Sequence, residues 1–344
     1  MSAPLWFWIA FNAFILLLLL LDLGVLTKRD RPIPVKEALY RSGAFFILAM
    51  IFAAGVFAFY GETPEERSRK GFEFLTGYLI EWSLSVDNIF VFVLIFSHFQ
   101  VPAQVQHRVL FWGIVGALVM RGTLILVGSA LINNFQWIML LFGAFLIFSG
   151  YKMLKAVDAE PDLDNNRLLV WMKSKYRVTE TYEKDHFFVR RDGVLFMTPL
   201  ALVLILIETT DLVFALDSIP AIFAITSDPF IVYTANVFAI LGLRAMYFAL
   251  AGVIHRFHYL KYGLSIVLMV VGVKMIGNYI WKANGWGEKF LPVEVALGIT
   301  AALIGGSIIL SLVKTAEEGP MVRAKHAWQG WVPFSGGKKK QGDG

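Results

Sequence analysis

The sequence predicts an all-α polytopic membrane protein of about nine transmembrane helices, N-terminus outside and C-terminus inside. Three observations predict it. The 344-residue chain is 57% hydrophobic, with mean hydropathy +0.64 and only 17% charged residues, too little charge to cover a soluble domain of this size. Apolar segments of spanning length recur along it, each near the ~20 residues that cross a bilayer core. Lys and Arg are distributed by side, as membrane topology demands.

The segments fall at about 5–26, 42–60, 72–97, 109–131, 135–154, 195–226, 230–254, 262–281 and 292–313. The first, "LWFWIAFNAFILLLLLLDLGVL", is read as a span rather than a signal peptide. No basic residue precedes it, it is too long, and no small-x-small site follows. With the N-terminus outside, the inner segments hold 23 Lys and Arg and the outer loops 5, while Arg121, Arg244 and Lys274 lie inside spans. Residues 155–194 read as a solvated cytoplasmic linker, and 314–344, ending "GGKKKQGDG", as a disordered tail whose lysines can touch anionic lipid. The net charge of +5 follows from this topology and is no sign of nucleic-acid binding.

An internal repeat is legible. "EWSLSVDNIF" (81–90) matches "DLVFALDSIP" (211–220), pairing Glu81 with Asp211, Asp87 with Asp217 and Asn88 with Ser218. "GALVMRG" (116–122) matches "AILGLRA" (239–245), pairing Arg121 with Arg244. "FLIFSGYKML" (145–154) matches "VLMVVGVKMI" (267–276), pairing Lys152 with Lys274. Spans 3–5 (72–154) and 6–8 (195–281) are therefore two copies of a three-helix unit, with residues 1–60 as two peripheral helices and 292–313 as the last span. Three is odd, so the copies insert in opposite senses, as in many secondary transporters. The loop after the first acidic span is expected to be seven residues longer than its counterpart.

The acids carry the chemistry. The third span holds Glu81 and Asp87, the sixth Glu208, Asp211 and Asp217. A charge at the bilayer centre costs ~2.5–3.5 kcal/mol on the mildest scale, so these groups must be paired, protonated or bound to a cation. Arg121, Arg244 and Lys274 can balance three of the five, leaving two negatives that a divalent cation would satisfy. At about 100° per residue, Glu81, Ser85 and Asn88 share a face, as do Glu208, Asp211 and Ser218, while Asp87 and Asp217 lie apart. Segment 195–226 is too long for a simple crossing and contains Pro220, so breaks are expected near 217–220 and, softer, near 85–88.

Carboxylates, hydroxyls and an amide are hard oxygen donors suited to Mg, Ca or Mn. The six histidines (His98, His107, His186, His255, His258, His326) fall in inner loops, span ends or the tail. With no cysteine in the chain, disulfides and thiolate metal sites are excluded and a Zn or Cu centre in the membrane is disfavoured. Asp22, near the inner end of the first span, reads as an inexpensive interfacial acid.

From about Phe74 to Ile276 the sequence resembles the TerC family of integral membrane proteins, most closely its Alx branch. The strings that carry the resemblance include "FLTGYLIEWSLSVDNIFVFVLIFSHFQVPAQVQHRVL", "DHFFVRRDG", "TPLALVLILIETTDLVFALDSIPAIFAITSDPFIV" and "FAILGLRAMYFALAGV". The resemblance implies metal-ion transport, specifically export of Mn2+ across a bacterial inner membrane, with no prosthetic group and no enzymatic activity. The family's acidic motifs are represented by Glu81, Asp87, Asn88, Glu208, Asp211, Asp217 and Ser218; "ETTD" is a peripheral departure. Tellurium, from which the family name derives, would arrive as an oxyanion that an acid-lined site repels.

The expected roles are Asp87 and Asp217 as primary metal ligands, Glu81 and Asp211 as second ligands or proton carriers, and Glu208 as a proton-coupling acid. Arg121, Arg244 and Lys274 hold acids when the site is empty. Two rivals stand beside this. An intramembrane aspartyl protease also needs two acids, but no Gly-x-Gly-Asp stretch is present. A non-transporting scaffold or sensor of a metal or tellurite resistance system would keep its function when the acids are neutralised. Direction of transport, coupling ion and oligomeric state are not set by the residues.

Overall fold

A computed structural model describes residues 3–21, 34–155, 166–251, 259–287 and 290–317. Asp22, His255, His258, His326, linker residues 156–165 and the tail from 318 lie outside the described residues. The elements in order are α1 (Leu5–Leu21), α2 (Val35–Phe59), α3 (Pro64–His98), α4 (Ala103–Asn134), α5 (Ile138–Lys155), α6 (Arg167–Lys175), β1 (Phe188–Arg191), β2 (Val194–Met197), α7 (Pro199–Phe223), α8 (Pro229–Leu250), α9 (Leu260–Ala283) and α10 (Val293–Glu317). Eight of the described helices are long and apolar enough to cross a membrane; α1 is a shorter apolar helix of 17 residues.

Local chemistry sets the starts of the central helices. Thr63 caps α3 by accepting from the Glu66 amide at 3.2 Å, with Pro64 at the first position. Asp228 caps α8 in the same way, accepting from the Phe230 amide at 3.0 Å ahead of Pro229. Pro199 opens α7 after Thr198.

Helix α8 is buried on almost every side. It packs on α2, α3 and α4, while α7 packs on α4 and α3, and α5 lies along α9. Exchanging the units α3–α5 and α7–α9 turns the α3–α8 contact into the α7–α4 contact and returns the α3–α7, α4–α8 and α5–α9 contacts to themselves. The closest backbone approaches obey the same exchange. A Cβ at Gly143 would lie 2.9 Å from the Gly272 carbonyl oxygen, and one at Gly150 would lie 2.6 Å from that of Ser265. In the repeat alignment Gly150 corresponds to Gly272 and Gly143 to Ser265, so each crossing is the image of the other.

Two expectations are corrected. Helices α3 and α7 run unbroken through 85–88 and 217–220. Pro220 lies within the last turn of α7, where its missing donor leaves the helix intact, and the Ala224 amide still bonds the Pro220 carbonyl at 3.0 Å. The excess length of segment 195–226 is explained at its start, where Val194–Met197 is a strand and not helix. The seven extra residues of the first unit are helix and not loop: α3 runs five residues further past its acid than α7, α4 starts three residues further before its arginine than α8, and the intervening loop is one residue shorter. The described part of the linker, residues 166–198, contains secondary structure of its own. It forms α6 and an antiparallel hairpin with Phe188 opposite Met197 and Arg191 opposite Val194.

Candidate functional site

Glu81 is the midpoint of α3 and Asp211 the midpoint of α7, so a central contact between these helices brings them together. Between them lies Arg121 of α4, almost fully buried. Its Nη2 and Nε donate to the two oxygens of Asp211 at 2.8 and 3.0 Å, and its Nη1 donates to Glu81 Oε2 at 2.8 Å. Nη1 also approaches Ser218 Oγ at 3.4 Å and Asn236 Oδ1 at 3.1 Å. The Asn236 amide closes the ring by donating to Glu81 Oε1 at 2.8 Å, and that of Asn88 reaches Asp211 Oδ1 at 3.4 Å.

One guanidinium thus serves two carboxylates. With both ionised, the cluster carries one surplus negative charge in a region where water is scarce. Two further oxygens beside it are buried and make no hydrogen bond, Asn88 Oδ1 and Ser85 Oγ. A cavity of about 10 Å³, room for about one water, opens next to Asp211. Its lining adds Arg244 and Gly113 to a mostly apolar wall.

The other sequence-derived residues sit around this centre. Asp87, on the far side of α3, faces α9, near enough to Lys261 to interact electrostatically. Asp217 accepts from Ser149 Oγ of α5 at 2.7 Å and is near enough to Lys152 to feel its charge. The expected primary ligands are therefore not the pair that meets. Among the described residues no three acids or histidines are close enough to share one ion. Glu208, one turn before Asp211, lays its carboxylate in the space that Gly116 of α4 leaves open. Arg244 and Lys274 are buried in α8 and α9.

The sequence reading missed Asn236, a neutral residue in an apolar helix that is one of the cluster's six members. It also missed a second buried polar cluster, at the α2–α3 turn and the loop before α8. There Lys70 Nζ donates to Asp228 Oδ2 at 2.7 Å and lies 3.7 Å from Glu73, which accepts from Thr226 Oγ1 at 2.6 Å. The Tyr60 hydroxyl donates to Asp228 at 3.0 Å, and burial, followed by the Asp228 carboxylate, pushes the Tyr60 phenol well above its usual pKa.

The sequence has known relatives. The family described as "Integral membrane protein TerC family" matches residues 66–318. A Myxococcus xanthus protein named "Uncharacterized membrane protein STKORF319" is 46% identical over 308 residues, 90% of this chain and 92% of the relative. The Escherichia coli K12 protein named "Putative membrane-bound redox modulator Alx" is 44% identical over 308 residues, 88% of this chain and 93% of the relative. A Rickettsia felis "Uncharacterized membrane protein" is 41% identical over 308 residues, 89% and 97% respectively. No solved structure matches the chain. Matched over most of its length by the family and by relatives above 40% identity, this chain belongs to the TerC family of integral membrane proteins.

Proposed function

We propose that the protein is a secondary transporter that exports a divalent cation, Mn2+, from the cytoplasm of a bacterium across its inner membrane. The observation that carries the reading is the Arg121 cluster: two acids from helices of different repeats, joined at the middle of the fold, beside buried oxygens of Asn88 and Ser85 that lack partners. Glu81, Asp211, Asn88, Ser218 and Asn236 offer only oxygen donors, the set that hard cations prefer. Arg121 holds the two carboxylates in place of the cargo's charge, and the cargo takes them when Arg121 withdraws. Asp87 and Asp217 flank this centre, one on each repeat, and serve approach and departure rather than primary ligation. Glu208, with no counterpart in α3, carries the coupling proton. Alternating access rocks α3–α5 against α7–α9, and the 23-to-5 split of basic residues orients the N-terminus outward.

The test is metal flux into proteoliposomes with Mn2+, Ca2+, Mg2+ and Zn2+ in turn, with and without a pH gradient. Glu81→Gln and Asp211→Asn should abolish Mn2+ flux in well-folded protein, and Asp87→Asn and Asp217→Asn should slow it. Unchanged flux in the first two variants would remove the site; no flux of any cation by the wild type would remove the transporter.

One observation favours a second reading. Arg121 already satisfies both central acids, which is what a non-transporting scaffold or sensor in a metal or tellurite resistance system would need. In that case charge-neutral replacement of all three residues together would leave cellular function intact. The relative's name points to redox modulation; in this chain such a role would run without a protein thiol, because it has no cysteine.

A further inference from the structure

Residues 166–198, the described part of the segment between α5 and α7, form a short helix and a hairpin with large apolar groups on their surface. Helix α6 buries Leu169 and Met172, three residues apart, and turns Val170 and Trp171 outward, 56% and 53% exposed. Beyond its end Tyr176 is 48% exposed, its ring edge-on to Trp171 with centroids 6.0 Å apart. In the hairpin, directly opposed residues share a face, so Phe188, Arg190 and Leu195 stand together. Phe188 is 51% and Leu195 64% exposed. Large apolar groups at this density on an aqueous surface mark a surface that something covers.

Two further observations say what covers it. Arg167, Lys173, Lys175, Arg177 and Arg190 are exposed around these apolar groups, whereas the acids Glu183 and Asp185 are engaged by Arg191 and Arg108. Among the described residues of this segment Glu180 and Asp192 remain as exposed acids against these five bases and Lys184, so its exposed charge is net positive. Thr198 alone separates β2 from Pro199, the first residue of the α7 span, and Tyr182 is tied to the end of α3 by its hydroxyl, which donates to the Phe99 carbonyl at 2.7 Å. A hairpin one residue from a span end lies at head-group depth. Trp and Tyr favour that zone, and Lys and Arg extend their stems over apolar surface while their charges reach phosphate.

We propose that α6 and the β1–β2 hairpin form a lipid-binding face that lies in the head-group layer of the protein's own membrane. Trp171, Tyr176, Phe188 and Leu195 enter the interfacial zone, and the five basic residues engage anionic head groups. This inference is independent of what the membrane centre transports.

The absence of cysteine makes the test direct. Trp171→Cys and Leu195→Cys each accept one nitroxide label on the full chain, with Glu62→Cys in the exposed α2–α3 loop as the aqueous control. Relaxation by oxygen, which concentrates in lipid, is compared with relaxation by a water-soluble nickel chelate. In phosphatidylcholine vesicles containing phosphatidylglycerol, labels at 171 and 195 should be relaxed chiefly by oxygen and the control by nickel. Gln at the five basic positions, or phosphatidylcholine alone, should shift both labels towards nickel. Labels as nickel-accessible as the control would overturn the proposal and leave the face to a soluble protein partner. Lipid contact indifferent to head-group charge would overturn the anionic recognition.

Discussion

Arg121 of α4 grips Asp211 of α7 with two parallel bonds, 2.8 Å from Nη2 and 3.0 Å from Nε, and its remaining nitrogen spans to Glu81 of α3. One side chain of α4 joins the neighbouring α3 and the distant α7 at their midpoints. Planarity makes this possible, because a guanidinium presents a fork on one edge and a further donor on another.

Removing that side chain should expose the cost of the acids it serves. Arg121→Met leaves two buried carboxylates unpaired, an expected loss of ~3–5 kcal/mol. Arg121→Lys keeps the charge but cannot form the fork, so it should fall between Met and wild type. The triple variant Arg121→Met, Glu81→Gln, Asp211→Asn should recover most of the loss. Thermal unfolding of the purified protein in detergent measures all three, and a triple variant no more stable than Arg121→Met alone would contradict the pairing.

The second polar cluster allows a cleaner cycle. Lys70→Met takes the cation from Asp228, 7% exposed, and leaves Glu73, 5% exposed, with Arg69 at 3.7 Å; it should cost ~3–5 kcal/mol. Asp228→Asn removes charge yet preserves the cap of α8, since Asn caps as well as Asp. The double variant should therefore be more stable than Lys70→Met alone, read by the same unfolding measurement. Additive losses would mean that the 2.7 Å contact contributes no coupling.

At the α5–α9 crossing, a Cβ on Gly272 would lie 2.7 Å from the Gly143 carbonyl oxygen, a backbone atom that cannot rotate away. Gly272→Ala and Gly150→Ala should each force the helices apart and cost about 1–3 kcal/mol, the range for overpacking. Gly298→Ala in α10, where nothing lies within 4 Å of the added carbon, should be neutral or slightly stabilising. Equal effects at all three positions would show that the crossing is not close-packed.

What the sequence revealed and concealed follows from the range of each interaction. Helical phase is local: it groups Glu81, Ser85 and Asn88 on one face and Glu208, Asp211 and Ser218 on another, with Asp87 and Asp217 apart, and the Arg121 cluster takes in four of the six grouped residues, leaving Ser85 unbonded and Glu208 at Gly116. The break expected at 217–220 rests on Pro220 and on an apolar run from 195 that takes strand residues Leu195–Met197 for membrane helix; hydropathy does not distinguish an exposed apolar strand from a span. Asn236 gave no charge signal, although an amide in an apolar helix is itself costly without a partner. Lys70 and Asp228 are 158 residues apart, and only tertiary contact shows that they are buried together.

Gly116 and Glu208 supply the last test, because it separates a structural acid from one whose location matters. The Glu208 carboxylate lies where a side chain at 116 would begin, so Gly116→Ala must displace it. The displaced atoms are the far end of a flexible side chain, not backbone, so the fold should lose no more than about 1 kcal/mol. If Glu208 carries the coupling proton, moving its carboxylate should reduce pH-driven Mn2+ flux in proteoliposomes several-fold while unfolding temperature barely changes. Glu208→Gln, which keeps the shape and removes the proton site, should abolish the response to the pH gradient altogether. Wild-type flux in both variants would assign Glu208 to packing alone, and the proton, if one moves, would need another carrier among Asp87, Asp217 and the Arg121 cluster.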